Sequence, residues 1–315
     1  MSPTLPITPA TVAAGSRICQ QAAPSSTMKL GVRAHDFGRL PVDELAARIA
    51  SHGLESIQLA PTKALAGFDT DAGRLSPGFA SGIRDAFHRR GIRIAVLGCY
   101  INLADRDDGR RRPQLERFKD YLRFARDFGC SVVGTETGSL NGDFSRHPAN
   151  AGEEAFQTVL ASVRELVREA ERFGVFVGIE AVERYVIASP QRLRRLIDEV
   201  SSPNLQVIYD PVNLLWSTNH ERQDQITDAA HELLGDRISI VHAKDFVVTD
   251  GQFHEVPAGK GQLNHRRILG WVKERKPGID VLLENTNPAT IGETIAFMRA
   301  AYAGANPEAG PENPM

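Results

Sequence analysis

Four short apolar runs in this chain each end on an ionisable side chain: Val175-Phe-Val-Gly-Ile-Glu180, Leu205-Gln-Val-Ile-Tyr-Asp210, Ile238-Ser-Ile-Val-His242 and Val281-Leu-Leu-Glu284. A β-rich apolar run closed by one polar residue is the pattern of a strand buried on both faces, delivering a single charged group to one end of a sheet. From 180 to 210 to 242 to 284 the steps are 30, 32 and 42 residues. That is enough for a strand, a returning helix and the next parallel strand, which together take about 30 residues or more. Parallel neighbours would bring two Glu, one Asp and one His to the same sheet edge. Such an oxygen-rich set with one nitrogen suits one hard or borderline divalent cation, Mn2+ first, with Mg2+ or Co2+ as alternatives.

The alternation extends through most of the chain. Strand-like runs occur at 29–34, 56–60, 93–97, 131–135, 175–180, 206–210, 238–242 and 280–284, and helix-like runs lie between them. Residues 41–50, 114–128 and 153–173 carry apolar side chains at helical spacing, and Gly53, Gly129 and Gly174 follow them as stop signals. Eight such units without an intervening linker predict one α/β domain, a (β/α)8 TIM barrel over 28–302, rather than an open doubly wound sheet. Neither a G-x-G-x-x-G after a strand nor a phosphate-binding P-loop supports nucleotide binding. In a barrel, active sites lie at the carboxyl ends of the strands, where the four ionisable residues fall.

Composition narrows the partners. Across 315 residues, 37 Lys and Arg balance 39 Asp and Glu, so no basic excess argues for nucleic acid or an anionic membrane surface. Cys19, Cys99 and Cys130 are odd in number and widely spaced, which describes neither a disulfide framework nor a zinc finger. A reducing cytoplasmic location is the expectation. Residues 1–27 read as a flexible extension rather than a secretory signal, with Met28 as an alternative start, and 303–315 as a flexible tail. A homo-oligomer is compatible with this reading.

Taken singly, each candidate ligand has an ordinary use. Asp210 before Pro211 resembles a helix cap, His242 a core histidine, and Glu180 and Glu284 partners of arginines. Gathered in one pocket, all four would be costly to desolvate unless a cation balanced them.

The motifs around these residues resemble the xylose-isomerase-like barrel superfamily, which includes sugar-phosphate isomerases, ketose 3-epimerases and inosose dehydratases. Val241-His-Ala-Lys-Asp245 is similar to its His-x-Lys-Asp segment, Pro257-Ala-Gly-Lys-Gly-Gln-Leu-Asn264 to its Gly-x-Gly-x-(Leu/Val)-(Asp/Asn) loop, and Asp210-Pro-Val-Asn213 to its Asp-Pro-x-Asn strand end. The resemblance implies that Glu180, Asp210, His242 and Glu284 bind one divalent metal, with Glu180 and Glu284 also exchanging a proton with substrate. It departs at Val186, where ketose 3-epimerases carry a carboxylate after a similar Arg-Tyr pair.

The function so implied is a metal-dependent sugar or polyol isomerase or epimerase working through a metal-bound enediolate, or alternatively a dehydratase of an inosose or other keto sugar. Asn213, Lys244, Arg184, Lys260, Glu136 and His35 are the expected substrate contacts, with Asp245 fixing Lys244 and with Tyr100 and Trp216 as an apolar wall. Endonuclease IV chemistry, found on a distant relative, would need a basic DNA-facing surface and a histidine where Asn213 stands. A non-catalytic binding protein would have no need of all four ligand types.

Overall fold

The computed structural model describes residues 28–68 and 74–305. The expected N-terminal extension, 1–27, and residues 306–315 of the expected tail lie outside the described residues. Within that tail, Ala303 closes the last helix and Ala305 is buried. Ten strands lie among the described residues: β1 (Lys29–Arg33), β2 (Ser56–Leu59), β3 (Arg93–Gly98), β4 (Val132–Glu136), β5 (Phe176–Glu180), β6 (Leu205–Tyr209), β7 (Ile238–Ala243), β8 (Asp245–Thr249), β9 (Gln252–Val256) and β10 (Asp280–Leu283). Eight of them close a parallel barrel in the order β1-β10-β7-β6-β5-β4-β3-β2, and β8 and β9 form a separate antiparallel hairpin. Closure is made where Lys29 to Val32 pair in register with Asp280 to Leu283.

Helices cover the outside: α1 (Val42–Ala50), α2 (Pro61–Ala64), α3 (Pro77–His88), α4 (Asp108–Phe124), α5 (Glu153–Phe173), α6 (Pro190–Val200), α7 (Gln223–Leu234), α8 (His265–Arg275) and α9 (Ile291–Ala303). Their boundaries follow local chemistry. Ser76, Asp107, Ser189 and Asn264 accept from backbone amides in the first turns of α3, α4, α6 and α8, which satisfies donors that a helix start leaves free. α5 stops at Gly174, whose φ of 62° is the left-handed C-cap that glycine adopts without penalty. α4 begins at Asp108 rather than 114 and ends at Phe124. The Asp107 cap starts it six residues early, and Pro113 is carried inside the helix instead of preceding it. No helix among the described residues is long and apolar enough to cross a membrane.

The barrel interior is filled by alternating large and small residues. Ala95, Val96, Ile208, Ile240 and Leu282 form a small cluster inside it, separate from the large core between strands and helices. Gly31, Gly134 and Gly178 make room for that cluster. A Cβ on Gly134 would lie 2.6 Å from Ile208 Cδ1, and one on Gly31 would lie 2.6 Å from a Leu282 methyl and 2.3 Å from Ser56 O. Overpacking of this kind costs about 1–3 kcal/mol. Gly134→Ala therefore lowers unfolding free energy by about that amount, and adding Ile208→Val, which deletes the clashing methyl, recovers part of it. Chemical denaturation of the single and double variants checks this; strictly additive losses would contradict the packing.

Candidate metal centre and active site

Four adjacent barrel strands supply the centre. Glu180 is the last residue of β5, Asp210 follows β6, His242 lies near the end of β7, and Glu284 follows β10. All are buried, with exposures of 3, 2, 1 and 4% respectively. Glu180, Asp210 and His242 each place a donor atom within 4.8 Å of the others. Glu284 stands against the same imidazole: His242 Nδ1 is 3.3 Å from Glu180 Oε1 and 3.4 Å from Glu284 Oε1. The backbone amide of Glu284 also donates to Ala243 O at 3.0 Å, tying the end of β10 to β7.

Asp210 resolves its two sequence readings by dividing its oxygens. Oδ1 accepts from the backbone amides of Val212 and Asn213 at 2.8 and 3.2 Å, capping a short turn, while Oδ2 accepts no hydrogen bond. Asn213 then bridges the centre, its amide donating to Glu180 Oε1 at 2.7 Å and its carbonyl accepting from Lys244 Nζ at 2.8 Å. Lys244 also faces Asp210 Oδ2 at 3.2 Å and Glu284 Oε2 at 3.5 Å. Three buried carboxylates and an imidazole, with Asp210 Oδ2 and His242 Nε2 left without hydrogen-bond partners, match the donor set of a divalent cation. Glu180, Asp210, His242 and Glu284 are the residues that could hold one.

Electrostatics reflect the crowding. Burial opposes a charged His242, but Glu180, Glu284 and Asp210 outweigh it and push the imidazole up to about 9. Burial raises Asp210 to about 7, with Glu180 and Glu284 adding to it and Lys244 opposing. For Glu284 burial is outweighed by His242, Lys244 and Arg33, which hold it down at about 2. Glu136 is raised to about 7 by burial and by the charge of Glu180, its strand partner in register. Burial, with Arg33 and Lys63 nearby, lowers His35 to about 3, so it is a neutral imidazole at ordinary pH.

The centre opens into a cavity of about 460 Å³ whose lining includes His35, Glu136, Arg184, Asn213 and Lys244, together with Tyr100. Lys260 is not brought to it. Its turn is packed on Asp245, which accepts from the amides of Phe246, Gly259 and Leu263 and lies 3.1 Å from His265 Nε2. A Cβ on Gly261 would sit 2.2 Å from Phe246 O, so glycine there permits this close approach, and Lys260 itself points outward to Glu293 at 2.5 Å. Asp245 thus organises that turn rather than Lys244. Trp216 is also displaced from the main cavity, stacked on Phe253 at 5.6 Å.

Sequence reading missed five lining residues: Arg33, Lys63, Phe144, Tyr185 and Glu255. Glu255 arrives on the β8–β9 hairpin and sits 3.1 Å from Lys244 Nζ. The hairpin had a signal, Asp250-Gly251, whose φ values of 53° and 74° suit a tight antiparallel turn. Arg33 donates to Asp36 and Asn285 and faces Glu284 Oε2 at 3.2 Å. Nothing in its sequence neighbourhood distinguishes it from a strand-end surface arginine.

The family model described as xylose isomerase-like TIM barrel matches residues 46–301. The sequence matches no curated protein. Among solved structures, 3-keto-D-glucoside 4-epimerase YcjR from E. coli, in its apo form, is 18% identical, with 87% of this chain and 99% of that chain covered and a TM-score of 0.66. A D-tagatose 3-epimerase-like protein is 20% identical over 88% of this chain and 98% of that one, with a TM-score of 0.69. A xylose isomerase-like TIM barrel protein from Mycobacterium smegmatis, in complex with magnesium, is 17% identical over 89% and 97%, with a TM-score of 0.65.

Asn213 offers a direct test of the buried network. Asn213→Ala takes one hydrogen bond each from Glu180 Oε1 and Lys244 Nζ, at about 1.5–3 kcal/mol for a hydrogen bond to a charged group. Denaturant unfolding of the metal-free protein should show that loss; an unchanged midpoint would mean the bridge contributes nothing.

Proposed function

Because this chain belongs to the xylose isomerase-like TIM barrel family, we propose that it is a divalent-metal-dependent isomerase or epimerase of a sugar or polyol. The observation that carries this reading is the convergence of Glu180, Asp210 and His242 within 4.8 Å, with Glu284 beside them, at the mouth of a polar cavity. The neighbours described as sugar epimerases, and the one in complex with magnesium, support the same reading. A divalent ion held by these four residues, Mn2+ or else Mg2+ or Co2+, supplies Lewis acidity toward a carbonyl and its neighbouring hydroxyl.

The protein's own groups divide the remaining work. Glu180 and Glu284 both approach Nδ1 of His242, and they come from strands three apart around the barrel. One takes the acidic carbon-bound proton and the other returns one, so the face or carbon at which it returns decides between epimerisation and isomerisation. Lys244 and Arg33 place positive charge where negative charge grows on substrate oxygen during the enediolate stage. His35, a neutral imidazole, and Arg184 bind sugar hydroxyls along the cavity wall.

Dehydration of an inosose or other keto sugar is the second reading, and Glu136 is what favours it. A carboxyl held near neutrality at about 7 can hand a proton to a departing hydroxyl.

Incubating the Mn2+-loaded protein with keto sugars, sugar phosphates, 3-keto-glycosides and inososes in D2O tests the proposal by NMR. Solvent deuterium should enter at the carbon beside the carbonyl with the substrate's composition otherwise kept; loss of water identifies the dehydratase instead. In Glu284→Gln this incorporation falls at least about 100-fold, as expected when a general acid–base group is removed, while the far-UV spectrum is unchanged. Incorporation at the wild-type rate would remove Glu284 from the reaction.

Metal uptake also depends on pH. With Asp210 near 7 and His242 near 9 in the metal-free centre, bound protons must leave before the ion is held. Affinity therefore rises as pH increases from about 7 towards about 9, and calorimetry in buffers of different ionisation enthalpy should report proton release. A pH-independent affinity without proton release would contradict the assignment.

A further inference from the structure

Lys244 stands where a second positive charge is least expected. It follows His242 by two residues, one past the end of β7, and both side chains meet Glu284. It is only 3% exposed. Its ammonium is 3.2 Å from Asp210 Oδ2, 3.5 Å from Glu284 Oε2 and 2.8 Å from Asn213 Oδ1. Two of these three partners belong to the set that a divalent ion would need.

We propose that Lys244 is a built-in counter-ion of the metal centre, holding the ligand carboxylates together before an ion enters and then competing with that ion for Asp210 Oδ2. This deepens the metal reading above and rests on it. The competition follows from how Asp210 is used. Its Oδ1 is committed to the amides of Val212 and Asn213, so ammonium and metal ion have the same remaining oxygen. Two cations sharing that oxygen in a buried site repel each other strongly. The lysine is not left stranded when it yields Asp210, because Glu255 Oε2 lies 3.1 Å away on its other side. Glu255 is outside the ligand set, and Asn285 donates to it at 2.9 Å. The β8–β9 hairpin therefore carries the carboxylate on which the ammonium rests once an ion is in place.

The test is a Mn2+ titration of wild-type protein and Lys244→Met at fixed pH, with melting temperatures of both metal-free proteins. Removal of the competing charge should tighten Mn2+ binding by at least about ten-fold. The metal-free variant should also melt below wild type, and saturating Mn2+ should narrow the gap. Equal or weaker Mn2+ binding by Lys244→Met overturns the competition, and an unchanged metal-free melting temperature overturns the counter-ion role. If neither protein binds Mn2+, Mg2+ or Zn2+, the metal reading fails along with the competition, and the melting temperatures still judge the counter-ion role separately. Should Lys244→Met not fold, Lys244→Gln, which removes the charge and can keep a hydrogen bond to Asn213, serves the same comparison.

Discussion

Three carboxylates buried around one imidazole repel each other, and every neighbouring feature of this barrel mouth responds to that repulsion. Glu180, Asp210 and Glu284 are each less than 5% exposed, where water cannot screen them and uncompensated charge is expensive. The chain answers with Lys244 and Arg33 on Asp210 and Glu284, with Asn213 donating to Glu180, and with a histidine pushed toward its protonated form. These groups balance the cluster without filling the coordination that it offers. A divalent ion would satisfy the carboxylates more directly, and the protons and ammonium that stand in for it set the terms on which it enters.

Barrel closure provides the rigidity this arrangement requires. Arg33 and Asp36 at the end of β1 meet Glu284, Asn285 and Thr286 at the end of β10, so the seam that closes the sheet also aims one of the candidate ligands. Asn285 turns the chain there with a φ of 54°, a conformation its short amide side chain tolerates better than most. On the neighbouring side, Asp245 gathers three backbone amides and His265. That holds in place the segment following the hairpin that presents Glu255. The same residues that stabilise the rim thereby orient the groups facing the cavity.

Much of this was legible in the sequence because strand-end chemistry is local. Apolar runs ending in Glu180, Asp210, His242 and Glu284 have a period and a spacing that a parallel barrel reads directly, and the eight barrel strands fall within about a residue of their expected limits. What stayed hidden depends on contacts distant in sequence. Arg33 reaches Glu284 across the closing seam, and Glu255 reaches Lys244 only because a hairpin folds back over the mouth. Lys260, singled out for its place between two glycines, points away because Gly261 packs against Asp245 and Phe246 and Gly259 against the Phe297 ring. A motif marks where the backbone is special; it does not say which way the side chain faces.

In this reading one divalent ion is shared by residues from four neighbouring strands. Anomalous diffraction from crystals grown with Mn2+ measures it most directly. A single strong peak bonded to Glu180, Asp210, His242 and Glu284 is expected at the mouth of the barrel. A peak elsewhere, or none at this cluster under saturating Mn2+, would contradict it.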